Sequence, residues 1–230
     1  MSVHSFEQPI LGDIQAERIA ARPRRSVPQS AADDIVYSSA KRLCDIVIAI
    51  VLIAFTLPLM LVIAALIKLD SRGPVLFRQP RCGRNRRPFV ILKFRTMKAD
   101  PSSDGRQATR DDRRVTRIGR FLRKSSLDEM PQILNVLCGD MSLVGPRPHA
   151  LWHDMAFCGV IDDYCDRYLV KPGITGLAQI TGCRGETPTK ADMQRRVERD
   201  LEYIEKRSLA LDLKILLLTL PSIFWLRDVY

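Results

Sequence analysis

The 230-residue chain carries neither G-x-G-x-x-G nor G-x-x-x-x-G-K-[ST], so no Rossmann fingerprint and no P-loop marks a nucleotide site. None of its six cysteines (44, 82, 138, 158, 165 and 183) stands in a C-x-x-C pair. They read as free thiols of a reducing compartment, which excludes a disulfide frame and a structural zinc site. The chain's long apolar run begins far from the N-terminus with no small-residue cleavage site after it, which excludes an ordinary cleaved signal peptide. No aromatic stacking module or zinc finger accompanies the basic charge, so nucleic acid is not an expected partner.

What the chain does have is that apolar run. Residues 46–67 read IVIAIVLIAFTLPLMLVIAALI, 22 residues without a charge, or roughly 33 Å of helix at about 1.5 Å per residue. Basic residues flank both ends, Lys41 and Arg42 before it and Lys68 and Arg72 after it, so the positive-inside bias gives no orientation. Pro58 sits near the middle, where it lacks an N–H and opposes the carbonyl of Ala54. Two half-helices folded back at Pro58 would keep both flanks on one membrane face, a re-entrant anchor. A single-pass helix with a tolerated kink is the other reading.

The formal net charge of +10 is unevenly placed. Residues 1–45 balance six Lys or Arg against six Asp or Glu, whereas residues 68–124 carry 18 basic and five acidic side chains, a local +13. Such a block needs anionic partners: phospholipid head groups, phosphorylated substrates or nucleic acid.

Along the chain, residues 1–40 are polar and aperiodic and read as a disordered cytoplasmic tail. Residues 41–70 form the membrane helix and 71–230 one further domain. Turn signals at Gly73-Pro74 and Gly83-Arg84-Asn85 bound two β-prone runs, PVLFRQ and PFVILKFRTM, which predict a hairpin. Alternation in the second run puts Ile91, Lys93 and Arg95 on one face, so two cations about 7 Å apart either grip one diphosphate or face solvent. Residues 98–112 read as a loop. DDRRVTRIGRFLRKSS then places Val115, Ile118, Phe121 and Leu122 on one helical stripe ringed by Arg and Lys, suited to a membrane interface or to packing on its own domain.

In SSLDEMPQILNVLCGDMSLVGPRP, the adjacent Asp128 and Glu129 precede a helix with Pro131 in its first turn. They read as a cap, with Ser126 and Glu129 as a capping box, or as carboxylates that hold a divalent cation and attack a phosphorus atom. Arg147, between Pro146 and Pro148, reads as a phosphate clamp or a plain turn. His149 and His153 lack a third ligand for a metal. Residues 168–190 are loop-rich with short strands, 192–207 a charged surface helix, and 209–226 a second interfacial helix.

Taken together, KRLCDIVIAIVLIAFTLPLML, GPVLFRQPRCGRNRRPFVILKFRTM, RVTRIGRFLRKSSLDEMPQILNVLCGDMSLVGPRP and KPGITGLAQITGCRG closely resemble the bacterial sugar transferase family, the monotopic polyprenyl-phosphate phosphoglycosyl transferases. The resemblance spans about residues 40–226 and fits the larger exopolysaccharide-initiating members. It implies an α+β monotopic membrane protein with a re-entrant helix broken at Pro58, interfacial amphipathic helices and a small hairpin-containing, loop-rich catalytic domain. It further implies transfer of a hexose-1-phosphate, glucose or galactose, from a UDP-sugar to undecaprenyl phosphate with release of UMP, starting exopolysaccharide, capsule or O-antigen repeat units.

In that reading Asp128 is the nucleophile of a phosphosugar-aspartate intermediate and Glu129 its partner. The two hold Mg2+, while Lys93, Arg95 and Arg147 bind substrate phosphates. The catalytic domain is expected on the cytoplasmic face of the bacterial inner membrane, against phospholipid, in an arrangement that allows a homodimer. The sequence departs from the family at Cys138, commonly arginine, and at Arg86, often glycine. The competing reading, from charge alone, is a non-catalytic basic membrane-surface adaptor.

Overall fold

The computed structural model describes residues 31–98, 112–183, 185, 187 and 189–225. The tail through residue 30 and most of the expected 98–112 loop lie outside the described residues. The chain opens with α1 (Ala31–Asp70), a 40-residue helix that begins within the stretch assigned to the tail. Strand β1 (Leu76–Cys82) pairs antiparallel with β2 (Pro88–Phe94), Gln79 opposite Ile91 and Arg81 opposite Phe89. The connecting turn holds both Asn85 (φ 54°) and Arg86 (φ 61°) in the left-handed region. That conformation is strained for arginine and easy for glycine, the residue the family often has there.

Helices α2 (Arg117–Lys124) and α3 (Gln132–Cys138) follow, then β3 (Ser142–Val144), α4 (Leu151–Phe157), β4 (Gly173–Thr175), α5 (Leu177–Ile180), α6 (Lys190–Lys206) and α7 (Leu209–Trp225). Strands β3 and β4 pair in parallel. Their approach is so close that a Cβ on Gly173 would lie 2.1 Å from the Gly145 nitrogen, which is why glycine stands there.

One side of α1 packs on the domain near both of its ends. Ala49 joins a core with Phe89, Ile91, Ile133, Val136 and Leu143, and Ile63 and Ile67 join a second core with Phe94 and Leu122. Polar contacts fasten the same two ends. At the first, Arg42 donates to the Val136 and Leu137 carbonyls at 2.6 and 2.8 Å, capping α3. Nearby, Asp45 accepts from the Leu143 N–H at 3.1 Å, and Lys41 bonds Asp212 of α7 at 2.7 Å. At the other end, Asp70 accepts from the Ile118 N–H at 3.3 Å.

Between these ends the outer side is bare and apolar, with Phe55 81% exposed and Leu61 63%. Pro58 lies inside the helix and does not end it. One proline deletes a single N–H, and hydrogen bonding continues on either side. Thr56 returns its hydroxyl to Leu52 at 2.7 Å, not to the Ala54 carbonyl that Pro58 leaves open.

Two further expectations are corrected. Helix α6 is not a mere surface helix, because Met193, Arg196, Val197, Asp200, Tyr203 and Ile204 are buried along it. Nor are all six cysteines free, since Cys158 and Cys165 form a disulfide across a seven-residue separation that brings their Cα atoms to 5.9 Å.

Candidate active site

Asp128 and Glu129 lie in a single 3-10 turn, Leu127–Glu129, between α2 and α3. Ser126 enters it in the left-handed region at φ 56° and makes no side-chain cap, so the capping box open to Ser126 and Glu129 does not form. Helix α3 is pinned to the hairpin by buried Asn135. Its Oδ1 accepts from the Leu92 N–H at 3.0 Å and its Nδ2 donates to the Val90 carbonyl at 2.7 Å. That attachment brings the acidic turn against β2, where Lys93 Nζ donates to Glu129 Oε1 at 2.8 Å.

Arg147 closes on the same carboxylate from the Pro146-Arg147-Pro148 segment. Its Nη1 donates to Glu129 Oε2 at 2.9 Å and its Nη2 to Oε1. Both oxygens of Glu129 are therefore engaged by cations in a bidentate, charge-assisted arrangement. Burial alone would raise the proton affinity of Glu129, but Arg147 and Lys93 outweigh it and hold the group well below the usual carboxylate range.

Asp128 differs. Its carboxylate makes no hydrogen bond among the described residues, and burial together with the charge of Glu129 pushes its pKa up to about 6, against the pull of Lys93, Arg147 and Arg123. Neighbouring carboxylates are thus driven apart, one locked as an anion between cations and one ionised at neutral pH yet more basic than an ordinary aspartate. A raised pKa makes a carboxylate a better nucleophile while leaving it charged.

Of the residues expected here, Asp128, Glu129, Lys93 and Arg147 come together. Arg95 does not. Its side chain is buried at the C-terminal end of α1, where it donates to the carbonyls of Arg72 and Ser71 at 2.7 Å each and of Ile67 at 3.4 Å. Ser71 and Arg72 follow the last residue of α1, and the guanidinium fork supplies donors to the carbonyls of the turn by which the chain leaves the helix. The paired grip of Lys93 and Arg95 on one diphosphate is therefore not assembled. Pro58 belongs to α1 and takes no part in the site.

His149 is buried, with Nδ1 2.9 Å from Arg167 Nη1, a group that can only donate. Burial and the charges of Arg167 and Arg196 hold its pKa well below the ordinary value. His153 stacks on Trp152, ring centroids 3.6 Å apart. Among the described residues no group of three or more His, Cys, Asp or Glu assembles that could hold a metal ion. Mg2+ suits one or two carboxylates completed by water and substrate phosphate, and the uncommitted carboxylate of Asp128 beside Glu129 meets that minimum.

Sequence reasoning missed the support behind Arg147. Arg167, Asp200 and Arg196 are all buried within the domain, and the clue was available: Met193, Val197, Asp200 and Ile204 recur on one helical stripe, which places a carboxylate among core positions.

Two inequivalent carboxylates amid cations therefore sit on a domain packed against a helix long and apolar enough to enter a membrane. The family profile described as bacterial sugar transferase matches residues 36–226, and the chain belongs to that family. The chain is 49% identical over 213 residues to a UDP-glucose:undecaprenyl-phosphate glucose-1-phosphate transferase of Caulobacter vibrioides, covering 92% of the chain and 78% of that protein. Proteins of the same name from Xanthomonas campestris pv. campestris and Escherichia coli are 46% and 51% identical over 94% and 78% of the chain. The chain spans less than half of those two, 45% and 39% of their lengths.

Proposed function

We propose that this protein is a membrane-held phosphoglycosyl transferase that moves a hexose-1-phosphate, glucose being favoured by its relatives' names, from a UDP-sugar to undecaprenyl phosphate. The observation that carries the reading is the pair Asp128 and Glu129, in which Arg147 and Lys93 take up one carboxylate and leave the other, pKa about 6, to react.

In the first step an Asp128 carboxylate oxygen attacks the sugar-bearing phosphorus of the donor. A P–O bond to aspartate forms as the P–O bond to UMP breaks, and UMP leaves with the electron pair. In the second, an oxygen of undecaprenyl phosphate attacks the same phosphorus and Asp128 leaves, regenerating the carboxylate. A carboxylate approaches a diphosphate only where cations offset the repulsion, and Lys93 and Arg147 supply that field. Mg2+, for which the uncommitted Asp128 carboxylate is the available protein ligand while Arg147 and Lys93 take both Glu129 oxygens, would supply further charge neutralisation when bound.

The anchor in this reading is re-entrant at Pro58, with the catalytic domain on the cytoplasmic face of the inner membrane. Support comes from both ends of α1 being bonded to one domain while its middle stays apolar and exposed. Helix α7, which exposes Leu209, Leu213 and Leu217 at four-residue intervals, lies in the same interface.

Asp128→Asn tests the chemistry. UMP release from UDP-glucose should be lost while the variant still sediments with membranes. Full turnover by that variant would reject Asp128 as nucleophile, and a membrane adaptor would be indifferent to the change.

A further inference from the structure

Behind Arg147 lies a charged cluster for which phosphate chemistry has no direct use. Arg167 Nε donates to Asp200 Oδ2 at 2.8 Å, with both side chains 2% exposed. The same guanidinium donates through Nη2 to the Arg147 carbonyl at 2.7 Å and through Nη1 to His149 Nδ1 at 2.9 Å. Its face also stands over the Tyr164 ring, 5.2 Å from the centroid.

A buried ion pair is weak evidence for stability, because desolvating two charges costs about as much as their attraction returns. Position is what such a pair can supply. A planar fork bound at three acceptors has one orientation, and one of those acceptors is the backbone of the residue whose side chain holds Glu129. Pro146 and Pro148 fix φ on either side of Arg147, so its carbonyl contact and its two prolines together leave the backbone that carries the guanidinium little to search.

We propose that the Arg167–Asp200 pair is a positioning device for the transfer reaction: by holding the Arg147 carbonyl it sets the guanidinium that grips Glu129. The inference rests on the assignment of Asp128 and Glu129 as the reacting centre. Neither Arg167 nor Asp200 touches the acidic turn, and both act through Arg147.

Arg167→Lys is the informative variant. Lysine retains the charge opposite Asp200 but cannot reach Asp200 and the Arg147 carbonyl in the planar geometry of a guanidinium. The readouts are UMP release from UDP-glucose by the full chain in lipid nanodiscs, over a range of UDP-glucose concentration, normalised to folded protein by circular dichroism. Arg167→Lys should lose roughly tenfold or more in kcat. In an Arg147→Ala background the same change should cost less than about twofold, because its effect runs through Arg147.

Equal loss in both backgrounds, or an unchanged kcat in a folded Arg167→Lys protein, overturns the proposal. Asp128→Asn run alongside separates the two ideas. If it is inactive while Arg167→Lys behaves as the parent, the positioning claim alone fails; if it retains turnover, the site assignment fails and takes the positioning claim with it.

Discussion

Replacing Glu129 with glutamine removes the charge but keeps the shape, and the structure sets the size and sign of the effect. The charge of Glu129 is one of the causes that raise Asp128, and like charges on neighbouring groups repel by about 2 kcal/mol at an effective dielectric of about 20, or between one and two pKa units. Burial, the larger cause of the elevation at Asp128, is untouched by the change. Lys93 and Arg147 lose their anion and act more strongly on Asp128, in the same direction as the lost repulsion. If ionised Asp128 is the nucleophile, the acid limb of kcat is expected near 6 in the parent and should fall to about 5 in Glu129→Gln. The variant should be slower at neutral pH, since its aspartate is less basic and its cations less ordered. It should also be less stable by about 2–3 kcal/mol, the scale of charged hydrogen bonds left without their acceptor. UMP release between pH 4.5 and 8 gives the limb, and the carboxyl 13C shift of Asp128 gives its titration independently of turnover. An acid limb that stays at 6 or rises would show that Glu129 does not tune Asp128 electrostatically.

Arg95→Met should lower stability by about 2–4 kcal/mol, because the carbonyls of Ser71 and Arg72 lose their donor. The KM for UDP-glucose should stay unchanged, and a raised KM without lost stability would restore Arg95 to the substrate site. Cysteines placed at Ala40 and Arg72, in a background lacking Cys44, should both react with an impermeant maleimide only after the cytoplasmic face is opened. Labelling of either one from outside would establish a single pass and remove the re-entrant anchor.

The parts of the site legible in the sequence were those fixed by local spacing. Asp128 and Glu129 are neighbours, and Lys93 sits in a β-prone run. Arg147 is identified by its two prolines, and a short turn or strand delivers each of them. Arg95 was not legible. Its fate depends on where α1 ends, a tertiary fact that alternation along a strand cannot contain, and the carbonyls of the turn that leaves the helix drew it in more strongly than an open face would have. The Arg167–Asp200 contact joins residues 33 apart, and composition made α6 look solvated because charge outnumbers apolar residues there. The recurrence of Met193, Val197, Asp200 and Ile204 was the better guide, since period decides which face is buried and composition does not. The long apolar helix followed from pattern and the α+β class from the family resemblance, whereas the interruption expected at Pro58 did not appear as a helix end, because one proline removes a single N–H and need not stop a helix.

Mounting the site directly on the anchor gives the arrangement its logic. Asp45, near the start of α1, holds the Leu143 N–H in β3, three residues before the Pro146-Arg147-Pro148 segment. Asp70, at the other end, holds Ile118 in α2, the helix that leads into the acidic turn. Arg147 and Glu129 therefore approach each other from segments tied to opposite ends of one helix, and their contact closes a loop whose far side is lipid-compatible.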